Sequence, residues 1–261
     1  GIFAKLIKIF KRLGYRDNVN LVNLGYDFRK VPDMNDMYRM MKSIVNVYYN
    51  NHNKKVVIIC YSFGGIVANR LLNILKDEWK NKYIDKLITM STPWLETIEI
   101  LHTILRGESF GSPLIDRFNV RKVQISLETS IYLIPDKLDI GFEKGRLRYN
   151  AMKSVKNVTM SPGVENFCLY GTHVPTKSTI DYRTKNFPNG KPVISRSDGD
   201  RVVAHTSLSH CEQWNNKTTH IKTFPNVRHP DLLENNDVIN HIMDILNLPH
   251  YIKEKFTKII Y

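Results

Sequence analysis

A buried strand that runs directly into a helix is the feature that most constrains how this chain can fold. Residues 56–60 are an unbroken apolar run rich in β-branched side chains, which is typical of a strand buried on both faces of a parallel sheet. Residues 61–65 carry a single serine, Ser62, and apolar residues then recur with helical spacing from Ile66 to Leu75. A buried strand, a tight turn with one serine and an immediate helix are the context of a nucleophile elbow.

The match to that motif is incomplete at one position. The usual pattern is Gly-x-Ser-x-Gly; Cys60 stands where the first glycine is expected, and Gly64 supplies the second. In an elbow the turn lifts the serine above the strand, and the backbone N–H of the next residue, Phe63, lies at the helix N-terminus, where it can donate to an oxyanion. The other interpretation is an ordinary strand-to-helix connection with an exposed Ser62.

Length and composition favour one large domain. The chain has 261 residues, of which 42% are hydrophobic and 24% are charged, and this suits a sizeable core. Alternating strand and helix patterns up to residue 94 predict an α/β protein with a parallel, doubly wound sheet. The pattern loosens from about 96 to 162, which we interpret as a cap or lid inserted into a single domain of residues 1–261. Its larger apolar residues either line an acyl-binding groove or form a satellite core: Phe110, Leu114, Phe118, Tyr132, Leu133 and Ile134.

Hydrophobic periodicity predicts the remaining elements. Helices are expected at 2–13, 35–50, 207–214 and 238–246, and the helix after Ser62 is expected to reach about Tyr83. Strands are expected at 20–25, 87–90, 164–171, 192–195 and 220–224. The first helix is amphipathic, and its basic face would suit a membrane surface, although such helices more often pack on a sheet.

The charge balance narrows the classes of partner. The net charge is +13, but the lysines are scattered, and neither a long basic tract nor a nucleic-acid motif is present. We therefore expect no nucleic-acid partner. The basic surface is either a solvated lysine-rich surface or one that favours anionic membranes. No apolar run approaches the roughly 18 residues of a membrane-spanning helix.

A serine nucleophile needs a base to take its proton and a carboxylate to orient that base. In α/β-hydrolases the chain order is Ser, then Asp or Glu, then His. Asp200 follows a predicted strand in a glycine-containing turn. His229 follows the predicted strand that ends at residue 224 and precedes the last helix, so Asp200 and His229 fit both the order and the placement at strand ends.

Other residues compete for these roles. Asp198 is an alternative acid, and Asp198 with Asp200 could form a metal-binding turn, although no EF-hand-like series of ligands follows. His210 is an alternative base. His220 begins a predicted strand, which is the wrong end for the site, and His205 follows Asp200 too closely to leave room for a strand.

Seven features occur in order along the chain: Tyr26–Arg29 (YDFR), Cys60–Gly64 (CYSFG), Ser91–Trp94 (STPW), Phe167–Gly171 (FCLYG), Gly199–Val202 (GDRV), Cys211 and His229. In this order and context they resemble the lecithin–cholesterol acyltransferase family, which includes lysosomal phospholipase A2 and phospholipid–diacylglycerol acyltransferases. The resemblance spans nearly the whole chain and is weakest from about Glu96 to Pro162.

The resemblance implies an α/β-hydrolase fold with a cap, and a serine enzyme that acts on glycerophospholipids. It implies Ser62 as nucleophile, Asp200 as acid and His229 as base, with water or a sterol as acyl acceptor and no metal or organic cofactor. Tyr61 and Trp94 are the candidates for the substrate pocket.

The family's motifs also assign structural roles. Asp27 and Arg29 would belong to a turn near the site, and Trp94 would pack close to the nucleophile helix. Cys168 and Cys211 match the positions of a family disulfide.

The cysteines and two glycosylation sequons, at Asn157 and Asn216, lean toward a secretory, extracellular or vacuolar setting with peripheral membrane association.

Family members begin with a strand and a Pro-Gly loop that donates the second oxyanion N–H, and a small membrane-binding region lies in the same part. Neither is found in this sequence, so we expect the N-terminal strands to be missing and Phe63 to be the only oxyanion donor. Loss of one donor costs roughly 100- to 1000-fold in rate. The alternative hypothesis is therefore a catalytically weak or inactive hydrolase-fold module that binds membranes or a protein partner.

Overall fold

Four parallel strands form the central sheet of the computed structural model, which describes residues 1–95, 97–107, 116–134, 160–181, 191–214 and 218–248. The six strands of these ranges are β1 (Val56–Tyr61), β2 (Ile84–Met90), β3 (Glu165–Thr172), β4 (Thr176–Asp181), β5 (Val193–Ser197) and β6 (Thr219–Pro225). The central sheet has the order β1-β2-β3-β6, and each neighbouring pair is parallel. The predicted parallel sheet is confirmed, and all its carboxyl ends meet at one edge.

Helices cover both faces of this sheet. They are α1 (Ala4–Arg12), α2 (Met34–Asn50), α3 (Phe63–Ile74), α4 (Asp77–Tyr83), α5 (Ile98–Arg106), α6 (Arg117–Ser126), α7 (Glu128–Tyr132), α8 (His205–Leu208) and α9 (Asn236–Ile245), with 3₁₀ turns at Ser209–Trp214 and His229–Leu233. Along β2, Ile88 packs with α1 and α9, whereas Leu87 packs with α2, α3 and α4. Successive strand residues point to opposite faces, which explains the continuous apolar run of a strand buried on both sides.

The first helix packs on the sheet, which was the more common of the two expected arrangements. Leu6, Ile9 and Phe10 of α1 are buried in the same cluster as Ile88 of β2. Of its basic residues, Lys5 donates to the Glu234 carbonyl and to Asn236 at the start of α9. Lys8, Lys11 and Arg12 are exposed, and Lys11 forms an ion pair with Asp17.

Two predicted elements are wrong. Residues 20–25 form no strand; only an isolated bridge joins Asp17 and Leu21, because the backbone N–H groups at 19–21 donate to the Arg16 carbonyl in a local turn. The helix after Ser62 ends at Ile74, where Leu75 becomes extended, and a new helix begins at Asp77 with two acidic residues in its first turn. Acidic side chains stabilise a helix N-terminus, and this favours a second helix over a continuous one.

The short strand predicted at 192–195 belongs to a separate sheet. β5 pairs antiparallel with β4, a strand that periodicity does not predict, and Lys177 of β4 lies directly opposite Arg196 of β5. β5 is largely exposed, whereas β4 is half-buried, with Ile180 packed against α5. The mainly polar sequence of β4 shows no apolar pattern that would mark it as a strand.

The described cap residues act mainly as core. Tyr132 and Leu133 are buried in one cluster with Ile66 of α3, and Ile134 packs with α5. This matches the satellite-core alternative. Phe118 of α6 is 47% exposed, and Phe110 and Leu114 lie outside the described residues. The cap boundaries at about 96–162 stay a prediction, as does the single domain over the whole chain. No helix in the described ranges is long and apolar enough to cross a bilayer.

Candidate active site

The serine sits on a strained turn between β1 and α3. Ser62 has φ 53° and ψ −128°, a conformation that side-chain-bearing residues rarely adopt. Its N–H donates to the carbonyl of Met90 at the end of β2, at 2.8 Å, which ties the turn to the neighbouring strand. This is the geometry of a nucleophile elbow, with Phe63 as the first residue of α3.

A glycine allows the elbow to pack closely against the chain after β2. A Cβ atom at Gly65 would lie 2.0 Å from Oγ1 of buried Thr92, whereas one at Gly64 would meet only the Cβ of Cys60 at 3.8 Å. Gly65 is therefore the position in the elbow at which no side chain can be accommodated. Cys60, which stands where the usual motif has its first glycine, packs its side chain against the cluster formed by α2 and α3.

Cys60 lies two residues before Ser62 and is a potential competing nucleophile. Burial raises the pKa of the Cys60 thiol to about 12, so the thiol stays neutral at physiological pH. A thiol is nucleophilic as the thiolate, and the neutral form leaves Ser62 as the better candidate.

Asp200 is fully buried, and its carboxylate is hydrogen-bonded through both oxygens. Oδ1 accepts from the backbone N–H groups of Val202, at 3.0 Å, and Val203, at 2.8 Å. Oδ2 lies 2.7 Å from Nδ1 of His229. Because a buried carboxylate is costly unless its lone pairs are satisfied, this turn holds Asp200 in one orientation.

His229 connects the acid to the serine. Its Nδ1 faces Asp200, and its Nε2 lies 3.0 Å from Oγ of Ser62. An ionised carboxylate only accepts hydrogen bonds, so Nδ1 carries the proton and Nε2 accepts from the serine hydroxyl. The three side chains predicted from chain order are thus brought together in one hydrogen-bonded series.

The backbone holds the acid and base loops against each other. The N–H of His229 donates to the carbonyl of Asp200 at 2.7 Å. At the end of β3, a Cβ atom on Gly171 would lie 1.9 Å from the carbonyl oxygen of Val227 and 3.3 Å from the Cβ of Asp200. Only a glycine at this position lets the two loops approach so closely.

Tyr61 supports the histidine. Its hydroxyl donates to the backbone carbonyl of His229 at 3.1 Å, and the two rings are 5.0 Å apart. Burial, and after it the charge of Asp200, raises the pKa of Tyr61, so the phenol stays a neutral donor. The sequence suggested Tyr61 as a pocket residue; its place beside His229 was missed because the two are 168 residues apart.

The competing residues have other positions. Oδ1 of Asp198 accepts from the backbone N–H groups of His173 and Gly199, so this carboxylate stabilises its own turn. Nε2 of His220 lies 3.3 Å from Oε1 of Glu165, exposed at the amino end of the sheet, and the ring of His205 packs against Tyr170. His210 is buried, and burial lowers its pKa. Within the described ranges, no three acidic, histidine or cysteine side chains come together as metal ligands.

Trp94 is 3% exposed and lies edge-on to Trp214, in the cluster that contains Ile66 of the nucleophile helix. This position agrees with the expectation that Trp94 packs near the nucleophile helix. A role of Trp94 in the substrate pocket stays a prediction.

The Asp27–Arg29 turn lies at the edge of the cap. Arg29 binds both carboxylate oxygens of Asp27, at 2.9 and 2.8 Å, and these hydrogen bonds lower the pKa of Asp27 to about 2. The backbone carbonyl of Arg29 accepts a hydrogen bond from the N–H of Glu128, at the start of α7.

Cys168 and Cys211 are free thiols in the structure, so the expected disulfide is not formed in it. The two side chains are nevertheless neighbours. A hydrogen bond between them, together with burial, raises the pKa of the Cys211 thiol. Buried cysteines pack as small apolar side chains, and the disulfide between Cys168 and Cys211 stays a prediction for an oxidising compartment.

Comparison with known proteins decides the family. A family model described as lecithin:cholesterol acyltransferase matches residues 1–146 and 148–246. The chain belongs to the lecithin:cholesterol acyltransferase family. Its parallel sheet with the elbow at Ser62 is the α/β-hydrolase fold that the sequence predicted.

Relatives within this family share about a quarter of its residues. The human "Lysosomal phospholipase A and acyltransferase" is 26% identical over 274 residues, covering 94% of this chain and 66% of the relative. The chicken "Phosphatidylcholine-sterol acyltransferase" is 24% identical over 267 residues, covering 90% and 64%. The chain therefore spans slightly less than two thirds of the length of these relatives.

A likeness of fold extends to more distant proteins. The crystal structure of the Tle4–Tli4 complex contains a chain that matches with a TM-score of 0.59 at 12% identity, covering 89% of this chain and 68% of that one.

Proposed function

We propose that this chain is a serine-dependent lipid acyl hydrolase or acyltransferase that acts on glycerophospholipids through an acyl-serine intermediate. The observation that supports it most is the series of two hydrogen bonds, 3.0 and 2.7 Å long, that joins Ser62, His229 and Asp200. The names of the family relatives, a phospholipase A and acyltransferase and a phosphatidylcholine-sterol acyltransferase, support the choice of lipid substrate.

In the acylation step, Oγ of Ser62 attacks the ester carbonyl carbon while Nε2 of His229 takes its proton. Asp200 stabilises the imidazolium that forms. The oxyanion develops next to the N–H of Phe63 at the start of α3, where the helix dipole also favours negative charge. The tetrahedral intermediate collapses, His229 protonates the leaving alkoxide, and a lysophospholipid departs from the acyl-Ser62 ester.

In the second step, His229 takes a proton from the acceptor as the acceptor oxygen attacks the acyl-Ser62 carbonyl. The tetrahedral intermediate then collapses, the bond between the acyl carbon and Oγ of Ser62 breaks, and His229 returns the proton to Oγ. Water gives a free fatty acid, and a sterol or another alcohol gives a new ester. The same three side chains serve both acceptors, so the outcome depends on which acceptor reaches the acyl group. No step requires a metal or an organic cofactor.

Docking at a membrane surface would bring the substrate to the site. The net charge of +13 favours surfaces that contain anionic lipid, and that attraction weakens as salt is added. A secretory, extracellular or vacuolar location is part of the same proposal, supported by the relative named as lysosomal. The two sequon asparagines, Asn157 and Asn216, lie outside the described residues.

The direct test is cleavage of phosphatidylcholine in vesicles with and without sterol, with fatty acid, lysophospholipid and sterol ester measured by mass spectrometry. We expect Ser62→Ala to lower turnover by on the order of 10⁶-fold, since loss of the nucleophile removes the function of the whole triad. Ser43→Ala, on α2, is the matched control and should retain full activity. Undiminished turnover in Ser62→Ala would remove this serine from the mechanism.

A fluorophosphonate probe separates this proposal from an inert hydrolase-fold module, which the replacement of the elbow glycine by Cys60 motivates. We expect stoichiometric labelling at Ser62, located by peptide mass spectrometry, and none in Ser62→Ala. A folded protein that shows neither labelling nor cleavage would favour the binding module.

A further inference from the structure

A cleft beside the Asp200 turn contains several cationic side chains that the proposed reaction does not use. It has a volume of about 550 Å³ and lies where β4 and β5 meet α5 and the turn at 201–202. Lys177, Arg196 and Arg201 line it together with one carboxylate, that of Glu99. We call this group the cationic cleft.

Among the residues that the structure describes, one of the three cations, Lys177, has an acidic partner. Nζ of Lys177 lies 2.8 Å from Oε1 of Glu99 and 3.0 Å from Nδ1 of His102. Both members of the Lys177–Glu99 pair are largely buried, with side chains 18% and 25% exposed. Glu99 is thereby committed to Lys177, and two positive charges remain in excess.

The guanidinium groups of Arg196 and Arg201 are not hydrogen-bonded to any part of the chain that the structure describes. Asp231 interacts electrostatically with Arg201, but its carboxylate already forms an ion pair with Arg228 at 2.6 Å. The pKa of Asp231 is lowered chiefly by the hydrogen bonds from Arg228, and Arg201 contributes the smallest effect. The cleft therefore holds two arginines with open donors.

Two features of the backbone place these charges at a cost in stability. Lys177 and Arg196 are direct partners across the β4–β5 ladder, and like charges in that position destabilise a sheet. Arg201 has φ 82°, and its N–H is held by Oγ1 of Thr176 at 2.7 Å. A left-handed conformation is strained for an arginine, and such strain concentrates at functional sites.

We propose that the cationic cleft binds the phosphate group of a phosphate-bearing ligand. The planar guanidinium of an arginine can donate two hydrogen bonds to the oxygens of one phosphate. Two arginines together carry the charge that balances a phosphate dianion. The volume exceeds that of a phosphate alone and lies in the range of small-molecule sites. Val174, Pro175 and Val202 provide apolar wall for the organic part of the ligand.

The test is calorimetric titration of the whole chain carrying Ser62→Ala, so that no turnover interferes. The probes are inorganic phosphate and dihexanoylphosphatidylglycerol below its aggregation concentration, with hexanoate as an anion that lacks phosphate. Binding is measured directly, so the result is independent of whether the chain cleaves esters.

Matched variants locate the site. We expect Arg196→Gln to weaken binding about tenfold or more, Arg196→Lys to weaken it less, and Lys222→Gln, which removes an equal charge from exposed β6, to change it less than about twofold. Unchanged thermal unfolding midpoints would show that each variant is folded.

The outcomes decide both the site and its ligand. Tighter binding of the lipid analogue than of inorganic phosphate assigns the cleft to a lipid headgroup, and equal binding assigns it to phosphate alone. The proposal is overturned if neither phosphate compound binds at millimolar concentration, if hexanoate binds equally well, or if Arg196→Gln and Lys222→Gln behave alike.

Discussion

Two neighbouring charged side chains, those of Asp200 and Arg201, lie in opposite environments. The carboxylate of Asp200 is fully buried and bonded to two backbone N–H groups and to His229. The next residue, Arg201, is exposed, and its guanidinium has no hydrogen bond among the described residues. Burial makes an unpaired charge costly, whereas water at the surface stabilises it, so the first arrangement orients a side chain and the second leaves donors for a ligand.

The largest expected effect comes from breaking the buried arrangement. Asp200→Asn should lower kcat for phospholipid cleavage by roughly 10⁴-fold, because an amide no longer selects the histidine tautomer with its proton on Nδ1. Asp231→Asn makes the same change at a surface ion pair two residues beyond His229 and should cost less than about fivefold. Steady-state kinetics on both variants measures this; comparable losses would show that burial is not what distinguishes the two carboxylates.

The close approach of the acid and base loops predicts a loss of stability. Gly171→Ala forces a Cβ into the space of the Val227 carbonyl and should lower the free energy of unfolding by about 1–3 kcal/mol. Gly25→Ala, where a new Cβ would meet only a side-chain nitrogen at 3.9 Å, should stay within about 0.5 kcal/mol of the original. Urea unfolding measures the difference, and equal midpoints for the two variants would contradict it.

A smaller effect is expected where a hydroxyl supports the buried base. Tyr61→Phe keeps the ring against His229 and removes one hydrogen bond to its carbonyl, which is worth about 1 kcal/mol and so roughly fivefold in kcat/KM. Tyr38→Phe, on the exposed side of α2, is the control. If Tyr61 only lines a pocket, KM should rise while kcat stays unchanged.

The smallest effect belongs to an exposed pair. The pKa of Asp27 is lowered to about 2 by its hydrogen bonds with Arg29, against roughly 3.9 in an unfolded chain. Stability from this pair is therefore present above about pH 5 and is lost as pH falls toward 2. The unfolding midpoint of Asp27→Asn should lie slightly below that of the original protein at pH 6, and the gap should narrow as pH falls from about 4 toward 2. A gap that stays constant from pH 6 to pH 3 would contradict the assignment.

Much of the fold follows from local patterns. The apolar run at 56–60 and the turn at Ser62 predict β1 and the start of α3, and the methionine-rich stripe predicts α2. Residues 192–195 predict β5, whereas the mainly polar sequence of β4, Thr176–Asp181, carries no comparable apolar pattern. For the same reason nothing in the sequence indicated that Lys177 and Arg196 would face each other.

The candidate site likewise combines residues that the sequence predicts with residues whose roles depend on tertiary contacts. Chain order and strand ends point to Asp200 and His229 from the sequence alone, since parallel strands deliver their carboxyl ends to one edge. The supporting roles of Tyr61 and Gly171 depend on contacts with the loop at 227–229, which no local pattern encodes.

The sequence by itself determined a buried strand, a serine on a tight turn and the order in which acid and base follow. Only the tertiary structure decided that Nε2 of His229 lies 3.0 Å from a serine 167 residues away, and that Arg201 faces an open cleft while Asp200 beside it is buried. The physical reason is that periodicity and turn chemistry act over a few residues, whereas these contacts depend on strand order and on how closely the loops beyond the strands can pack.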